Sequence, residues 1–567
     1  MRSLQNQALL LIDRLRPTEW QRTLVMAAVI GVLASAATIG FREGLFLIER
    51  LVFGRSDGLV RIAESLSWPA RLAAPAIGGV IAGFLLAWSR RVSGQKPAGD
   101  YMEAIVLGDG DLPVRVSLIR ALSSAASVAS GGAIGREGPM VQLAALCGSL
   151  VGRWRRAPVP RRRLFVACAA AAGVATAYNA PIAGALFVAE IVLRSLAIES
   201  LGPLLVSAVA ANLASSRLVG LEAVYHTSPF VLVPGEATLE LALLGVVAGL
   251  TAPLYLKLLD VAHALFRRWS APLPVKLGLG GLIVGAISVV APQVWGNGYS
   301  VIQELIHGQW VWTLVVFVLV FKLLALAATT GSGAVGGIFT PTLLVGACAG
   351  SLFWAALQAV QPGTLPASAS VAVGMGAFLA ASTHAPLTSV LMIFEMTENY
   401  GVVVPSMLAC VLAYFISRAL RERSIYAAAG TLSNAPVLTM ARDFLRTDSA
   451  TVHALGTLES LQSAFLRYRW QHVYVLDEAG RFTGAISLHD LTAQLAAGAR
   501  LDSPWPASLL RTDFHRVRDT TPAWQVMETF ARHAGERLPV LDERDHLLGY
   551  ITKTDLVLMF RERLSVS

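Results

Sequence analysis

The residues with the clearest chemical potential are a charged pair inside an apolar, glycine-rich stretch. Arg136 and Glu137 stand side by side in GGAIGREGPMVQLAALCGSL, residues 131–150, whose other residues are typical of a membrane helix. An ionisable group within a membrane segment is costly to bury and indicates a function. Glu137 is therefore the first candidate functional residue. The alternative interpretation is a structural ion pair between Arg136 and Glu137.

The residues around Glu137 predict an interrupted helix. A glycine run followed by proline ends one helix and starts another, because proline suits the first helical turn. A helix start exposes backbone N–H groups without intrahelical partners, and the aligned peptide dipoles add about half a positive charge there. Such a start binds anions. We expect the Glu137 carboxylate to mimic an anion at this site and its protonation to release the site.

A weaker copy of this segment occurs later in the chain. Residues 130–150 align with residues 332–352 at an offset of 202, and residues 179–190 align with residues 384–395 at an offset of 205. Two related halves therefore form one domain. In transporters such halves often lie inverted to each other, with the substrate site between their Gly/Pro-interrupted segments. The repeat predicts two helix starts that converge on one anion.

The elements that must position these residues are membrane-spanning helices. The chain has 567 residues, of which 55% are hydrophobic and 15% charged, and its mean hydropathy is +0.59. A soluble domain carries about 25% charged residues. Several apolar runs are long enough to cross a bilayer of about 30 Å. The runs lie at 23–41, 69–89, 164–177, 201–217, 238–256, 274–292, 311–329, 341–360 and 402–418.

The net charge of +9 is explained by membrane topology. Basic residues cluster in the N-terminal segment, at 153–163 and at 418–423, and such clusters favour the cytoplasmic side of a membrane. No aromatic residues alternate with them, so nucleic-acid binding is not favoured.

The four cysteines lie in apolar segments and suggest no metal site. Lys322 interrupts an apolar run and is interpreted as a partnered or snorkelling lysine. No nucleophile–base set indicates an enzyme.

Beyond about residue 420 the pattern changes to that of a soluble α/β domain. HVYVLDEAGRFTGAISLHDL, residues 472–491, matches RLPVLDERDHLLGYITKTDL, residues 537–556, at a constant offset of 65. Each copy predicts a strand, a turn, a second strand and a helix start. Both copies contain an [ST]-x-x-[DE] pattern, which is typical of a helix capping box. The pattern comprises Ser487 with Asp490 and Thr552 with Asp555.

Several motifs, in this order, resemble those of the ClC chloride channel and transporter family. GREGP (135–139), GGIFTP (336–341) and the tyrosine in SIYAAA (424–429) resemble its signature segments, and AGDYMEAI (98–105) holds the place of its first signature. Together with WGNGYS (295–300), these motifs are most similar to the bacterial ClcB-type branch. The tail resembles a pair of CBS domains, which many ClC proteins carry.

The resemblance implies a fold and a location. The fold is an all-α polytopic membrane domain of the ClC type with two inverted repeats, followed by a soluble α/β CBS pair. The resemblance predicts a cytoplasmic segment at 1–22, the transmembrane domain at 23–430, and CBS domains at 431–496 and 497–567. It also implies a homodimer with one anion pathway in each subunit. We expect a multi-pass protein among the lipids of the bacterial inner membrane, with its N-terminus and CBS domains cytoplasmic.

The resemblance assigns roles to individual residues. Glu137 falls on the family's gating glutamate. At Gly99 the family usually supplies a serine hydroxyl to the anion, so the site here has one hydroxyl fewer. Ile191 stands where proton-coupled members carry a second glutamate, and isoleucine cannot carry a proton. The remaining chloride-binding positions fall on Gly135, Arg136, Gly138, Ile338, Phe339 and Tyr426.

These assignments predict passive chloride conduction, with two alternatives. One is a Cl⁻/H⁺ antiporter in which water or Glu190 relays protons, although the matching position of Glu395 in the other half favours a structural role for both carboxylates. The other is a CBS-bearing cation transporter, which would need more acidic oxygens than the membrane part offers. For the CBS pair, the resemblance implies regulation of the membrane part and an adenosine nucleotide site at Ser487, Asp490, Thr552 and Asp555, whose aspartates bond the ribose hydroxyls. No phosphate-binding loop supports a nucleotide independently, and we predict no other cofactor and no metal.

Overall fold

The computed structural model describes ten stretches of the chain. These are residues 19–93, 100–106, 108–220, 224–227, 236–363, 365–426, 440–468, 470–521, 523–532 and 535–555. The chain divides into two compact units, Met1–Thr431 and Leu432–Ser567. The predicted domain boundary at residue 430 and most of the predicted segment 1–22 lie outside the described residues.

The described part of the first unit is built from helices. In chain order they are α1 (Glu19–Phe53), α2 (Leu59–Ser65), α3 (Trp68–Ser93), α4 (Tyr101–Val106), α5 (Val114–Ala129), α6 (Glu137–Trp154), α7 (Val159–Tyr178), α8 (Pro181–Phe187), α9 (Ile198–Val219), α10 (Glu236–Arg268), α11 (Leu273–Val290), α12 (Tyr299–Ile306), α13 (Trp312–Gly331), α14 (Phe339–Val360), α15 (Ala367–Thr383), α16 (Pro386–Thr397) and α17 (Val403–Leu420). A π-helical turn, Val188–Leu193, continues α8, and short 3₁₀ turns lie at Pro292–Val294 and Tyr400–Val402.

Eight helices in the described stretches are long and apolar enough to cross a membrane. They are α1, α3, α9, α10, α11, α13, α14 and α17, the last together with the 3₁₀ turn before it. Their outer faces expose leucine, valine and isoleucine side chains, among them Leu213 and Leu254. This is the surface that a lipid environment requires, and it confirms the predicted polytopic membrane protein.

Two helices form the interior of this unit. Helix α7 is buried without interruption over residues 165–175, and helix α15 is buried over residues 369–383. A helix that is apolar on all faces belongs inside a protein rather than at its surface. Helix α6 packs against α7, and helix α14 packs against α15. The two related halves of the sequence therefore contribute equivalent helix pairs to one core.

The second unit contains two copies of a small α/β motif. The first copy comprises β1 (Thr451–His453), α18 (Leu458–Tyr468), β2 (His472–Leu476), β3 (Phe482–Ser487) and α19 (Leu488–Ala496), and the second comprises β4 (Val517–Arg518), α20 (Ala523–Arg532), β5 (Arg537–Leu541) and β6 (Leu547–Thr552). Each sheet has its first strand parallel and its third antiparallel to the central strand. The registers match, since Val475 faces Gly484 and Val540 faces Gly549. The predicted strand, turn, strand and helix start are confirmed in the first copy.

Candidate functional site

The two glycine-rich loops that were predicted to converge meet in the structure. Helix α6 begins at Glu137 and helix α14 begins at Phe339. In the loops before them, the Gly135 N–H donates to the Gly337 carbonyl oxygen, and the Gly337 N–H donates to the Gly135 carbonyl oxygen, both at 2.7 Å. A Cβ on Gly135 would lie 2.8 Å from the Gly337 carbonyl oxygen, so only glycine permits this antiparallel approach. The two helix starts are therefore tied together.

The Glu137 carboxylate is buried at this junction, with 4% of the residue exposed. Its Oε1 accepts a hydrogen bond from Nδ2 of Asn297 at 2.8 Å. Its Oε2 has no hydrogen-bond partner among the described residues. That oxygen lies so close to Gly135 that a Cβ there would overlap it. One carboxylate oxygen is thus held by an amide, and the other is left at the bridge between the helix starts.

Arg136 does not neutralise its neighbour. The described residues show no ion pair between Arg136 and Glu137, and the guanidinium lies 5.3 Å from the ring centre of Phe46 and 5.9 Å from that of Tyr299. Successive residues at a helix start point in different directions, and the aromatic faces stabilise the cation. The interpretation of Glu137 as the partner of Arg136 in an ion pair is therefore wrong.

A cavity of about 280 Å³ opens beside the two helix starts. Five of the predicted site residues line it, and they come from three separate segments of the chain. They are Glu137, Gly138, Ile338, Phe339 and Tyr426. Gly135 forms the backbone bridge, Arg136 lies on its two aromatic rings, and neither is among the residues that line the cavity. Gly99 lies outside the described residues.

Aromatic rings form one wall of the cavity. The Phe187 ring meets the rings of Phe339 and Tyr426 edge-on, with ring centres 6.0 and 5.7 Å apart, and Tyr178 lies 4.9 Å from Phe339. The segment that carries Tyr426 is held by the N–H of Ile425, which donates to the Ser382 carbonyl oxygen at 2.8 Å. The late tyrosine is thereby brought to helix starts that lie far from it in sequence.

Several polar residues at the site were missed in the sequence analysis, among them Gln142, which lines the cavity. Asp100 and Arg120 line the cavity, and Asn297 bonds the Glu137 carboxylate. Asp100 directly follows Gly99 in a segment that was already singled out, so its position was an available signal. Asn297 belongs to the quoted WGNGYS motif, but nothing in its spacing indicates a contact 160 residues back in the chain.

Glu190 and Glu395 each cap the start of a helix in the opposite half of the domain. The Glu395 carboxylate accepts hydrogen bonds from the N–H groups of Ile182 (3.0 Å) and Ala183 (2.8 Å) at the start of α8. The Glu190 carboxylate accepts from the N–H groups of Leu387 (3.2 Å) and Thr388 (2.8 Å) at the start of α16. Carboxylates at helix starts satisfy unpaired donors and complement the helix dipole. The predicted structural role of both glutamates is confirmed.

Ile191 lies in the π-helical turn directly after Glu190. Its side chain is half-buried and packs against the main apolar core. The position therefore presents a hydrocarbon side chain to its surroundings and has no group that exchanges protons.

The capping boxes of the C-terminal unit are formed to different extents. In the second copy, Thr552 Oγ1 accepts from the Asp555 N–H (3.0 Å), and the Thr552 N–H donates to the Asp555 carboxylate (3.4 Å). In the first copy, Ser487 Oγ accepts from the N–H of His489 at 3.2 Å, one residue before Asp490. The reciprocal box is thus complete only at Thr552.

Each aspartate of the two copies also binds an arginine from the segment before the other copy. Arg446 Nε and Nη2 donate to the two Asp555 oxygens at 3.0 and 2.7 Å, and Arg511 Nε and Nη2 donate to Asp490 Oδ2 at 3.0 and 2.8 Å. Partial burial tends to raise the pKa of the Asp555 carboxyl, but hydrogen bonds from Arg446 and Thr552 hold that pKa below its ordinary value. Both arginines occur in LRTD, at 445–448 and 510–513, a signal that the sequence analysis missed.

Comparisons with known proteins agree with this geometry. The sequence profile of the voltage gated chloride channel family matches residues 78–418, and that of the CBS domain matches residues 441–497 and 507–562. A ClcB-like protein of Ralstonia nicotianae is 51% identical over 411 residues, which cover 72% of this chain and 96% of that protein. The voltage-gated ClC-type chloride channel ClcB of Salmonella typhimurium is 43% identical over 414 residues, which cover 71% of this chain and 98% of that protein.

Two solved structures show the same fold. The crystal structure of a slow cyanobacterial Cl⁻/H⁺ antiporter superimposes with a TM-score of 0.65 at 26% identity, and covers 73% of this chain and 99% of its own. That of a eukaryotic CLC transporter superimposes with a TM-score of 0.60 at 20% identity, and covers 94% of this chain and 98% of its own. The match to the voltage gated chloride channel family favours the chloride interpretation over the cation alternative.

Proposed function

Because this chain belongs to the voltage gated chloride channel family, we propose that it conducts chloride passively through the cavity beside Glu137, with that carboxylate as the gate. One observation carries the proposal. The starts of α6 and α14 are tied together by the Gly135–Gly337 bridge, and the cavity at this junction is lined by Glu137.

The proposed mechanism is competition between two anions. Unpaired N–H groups and the positive dipole ends of α6 and α14 stabilise a chloride ion without a full cation beside it. The ionised Glu137 carboxylate lies at the same helix starts, where its negative charge is attracted to their positive dipole ends, and it blocks the path. Protonation removes its charge, the side chain loses its attraction to the helix starts, and chloride takes its place. Weak backbone donors suit conduction because the ion must also leave.

Two features support conduction without proton exchange. Ile191 cannot accept a proton, and the neighbouring Glu190 carboxylate is engaged by two backbone N–H groups and by the Thr388 hydroxyl. A carboxylate that caps a helix start is a poor relay, because protonation would break the cap. The antiporter alternative is supported by the fold match to a slow Cl⁻/H⁺ antiporter.

Liposome flux measurements test the gate. In reconstituted protein, Glu137→Gln mimics the protonated gate, so we expect faster chloride efflux at neutral pH and little further increase in acid. Ser300→Ala, an exposed position, is the matched control. Unchanged flux and unchanged pH response in folded Glu137→Gln would refute the proposed gate.

A reversal-potential measurement separates conduction from exchange. For passive conduction, a pH gradient across the membrane leaves the reversal potential at the value set by chloride alone. A shift that corresponds to a fixed Cl⁻/H⁺ ratio would refute passive conduction and establish the antiporter. The same vesicles with sodium in place of chloride as the permeant ion serve as the test of selectivity.

We propose a homodimer in the bacterial inner membrane, with the N-terminus and the CBS pair in the cytoplasm. The basic clusters at 153–163 and 418–423 support this orientation, because basic loops are retained on the cytoplasmic side. Light scattering of the protein in detergent tests the dimer. Cysteine labelling from one side of oriented vesicles tests the orientation, and labelling of Asp502→Cys from outside the cell would contradict it.

We also propose that the CBS pair binds an adenosine nucleotide, and that it does so first at Asp490. Ribose hydroxyls need a carboxylate oxygen as acceptor. Among the described residues, Arg511 engages only Oδ2 of Asp490, whereas Arg446 and Thr552 engage both oxygens of Asp555. Calorimetry of the full chain with ATP, ADP and AMP tests this. Asp490→Asn should weaken binding more than Asp555→Asn, and no heat with any nucleotide would leave the pair without this role.

A further inference from the structure

The loop between α11 and α12 carries the side chain that touches the gate. It runs through the 3₁₀ turn Pro292–Val294 and then through Trp295 to Gly298. Gly296 and Gly298 have φ values of 68° and 97°, which residues other than glycine rarely adopt. Two left-handed glycines on either side of Asn297 bend the backbone sharply. This bend points the Asn297 amide at the Glu137 carboxylate, 2.8 Å away.

A buried lysine fixes this loop from behind. Lys322 on α13 is 1% exposed, and its Nζ donates to the carbonyl oxygens of Val294 (2.8 Å) and Gly296 (2.7 Å). Among the described residues, no acidic side chain forms an ion pair with it. A buried ammonium group is costly unless its hydrogens are bonded, and here the bonded groups are the carbonyls of the loop. Movement of the loop would break both hydrogen bonds and leave the buried ammonium group without them.

Packing ties the same loop to the segment that bears the gate. Trp295 is fully buried, and its indole lies so close to the Gly131 backbone that a Cβ on Gly131 would overlap the ring. Gly131 begins the glycine-rich loop that leads to Glu137. The loop of Asn297 and the loop of Glu137 are therefore held in one rigid arrangement, by packing at Trp295 and by the hydrogen bond at Asn297.

We infer that Asn297 is a latch that holds the Glu137 carboxylate in its seat at the bridged helix starts, and that Lys322 positions this latch. The inference rests on the proposed gating by Glu137. An amide N–H that donates to an ionised carboxylate makes a charge-assisted hydrogen bond, which is roughly twice as strong as a neutral one. The latch therefore stabilises the ionised, seated gate. A protonated gate binds the amide less strongly and leaves its seat more easily.

Other charged and titratable groups surround the gate and do not replace this contact. The neighbouring guanidinium lies on aromatic rings, and the tyrosines stay neutral hydroxyls at physiological pH. In the described stretches, Asn297 Nδ2 is the one side-chain donor bonded to the carboxylate. The groups that line the cavity or interact electrostatically with Glu137 are Asp100, Arg120, Tyr178, Tyr225, Tyr299 and Tyr426, whereas the Glu49 carboxylate interacts with Arg136.

A double-mutant cycle in reconstituted full-length protein tests the latch. Asn297→Ala removes the donor, so the seated gate is destabilised and chloride efflux at neutral pH should rise about tenfold, with a weaker acid response. In a Glu137→Ala background there is no carboxylate to hold, and Asn297→Ala should leave flux unchanged. Asn297→Gln keeps an amide donor on a longer side chain and should restore part of the acid response. Ser300→Ala, which adjoins the loop, should behave as wild type.

The outcomes separate the latch from the gate. If Glu137→Ala leaves flux and its pH response unchanged, the gating proposal fails. If Glu137→Ala alters both but Asn297→Ala alters neither, the gate stands and the latch is refuted. Equal effects of Asn297→Ala with and without Glu137 would also refute the latch, because they would show a contribution independent of the carboxylate.

The positioning role of Lys322 has its own readout. Lys322→Met removes both loop contacts while keeping a long apolar side chain, so it should shift the acid response of flux in the direction of Asn297→Ala. In an Asn297→Ala background it should add no further shift. A Lys322→Met protein that lowers folded yield but keeps the wild-type acid response would overturn this role.

Discussion

The two halves of the membrane unit use one backbone design for two different chemistries. At equivalent positions, Gly131 and Gly333 have φ values of 99° and 96°, and the helices after them begin at Glu137 and Phe339. Asn179 and His384 end equivalent helices in left-handed conformations, with φ of 51° and 60°. The backbones match closely, yet the same helix position carries a carboxylate in one half and an aromatic ring in the other.

The contacts between the halves are reciprocal where they serve the fold. Glu190 caps α16 and Glu395 caps α8, and the Gly135–Gly337 bridge is made of two hydrogen bonds of equal length. The contacts at the gate are not reciprocal, since Asn297 bonds Glu137 and Phe339 packs among aromatic rings. The repeated backbone therefore builds the cavity, and the residues that differ between the two halves supply its function.

The largest effect is expected from substitutions that separate the two halves at the Gly135–Gly337 bridge. In Gly135→Ala the new Cβ would overlap Oε2 of Glu137 and meet the Gly337 carbonyl oxygen, and in Gly337→Ala it would meet the Gly138 nitrogen at 2.9 Å. Overpacking of this kind costs about 1–3 kcal/mol, and we expect chloride efflux to fall at least tenfold in both variants. Gly40→Ala, whose Cβ meets nothing within 4 Å, is the control. Wild-type efflux from folded Gly135→Ala would contradict the role of the bridge.

Matched leucine substitutions sharpen the asymmetry at the two helix starts. Glu137→Leu should abolish the acid response of chloride efflux, because the titrating group is gone. Phe339→Leu, at the equivalent position, should keep that response while it changes the conduction rate. We expect a difference of about tenfold between the acid responses, which corresponds to about 1.4 kcal/mol. Efflux at acidic and neutral pH measures it, and equal acid responses in the two variants would show that the gate is not confined to one half.

Removal of the reciprocal caps tests the structural equivalence of the halves. Glu190→Ala and Glu395→Ala each leave two helix-start N–H groups without their carboxylate, at a cost of roughly 1–2 kcal/mol. The loss should be larger for Glu190, which also accepts from the Thr388 hydroxyl at 2.6 Å. Thermal unfolding in detergent measures both, with the exposed Glu422→Ala as control. A large loss in one variant and none in the other would show that the halves are not equivalent.

The smallest effect is expected between the two copies of the C-terminal unit. Hydrogen bonds hold the pKa of Asp555 below its ordinary value, so this carboxylate stabilises the fold at neutral pH and stops doing so as the pH falls through its lowered pKa. Asp555→Asn should lower the thermal midpoint of this unit by roughly one to two degrees at neutral pH, and not at strongly acidic pH. Calorimetry of the full chain measures this, with the exposed Asp502→Asn as control. A loss that persists in acid would contradict the assignment.

Much of the fold could be predicted from local pattern. Apolar runs of spanning length and the Gly-Pro interruptions at Glu137 and Phe339 are visible in short stretches of sequence. The repeats are visible when the chain is aligned with itself. The helices and sheets of the structure follow these patterns. The structural role of Glu190 was predicted from its twin in the other half. The contact of Asn297 with Glu137 was not, because it joins residues 160 positions apart and no spacing rule connects them.

Hydropathy, helix-breaking residues and internal repetition are properties of the chain, and they were enough to predict a membrane protein of two related halves with a carboxylate at a broken helix. The contacts of that carboxylate depend instead on how distant segments pack. Arg136, its neighbour in the chain, turns away onto Phe46, while Asn297 reaches it from a loop anchored by Lys322. Adjacency along a helix start does not bring side chains together, whereas packing of distant segments does.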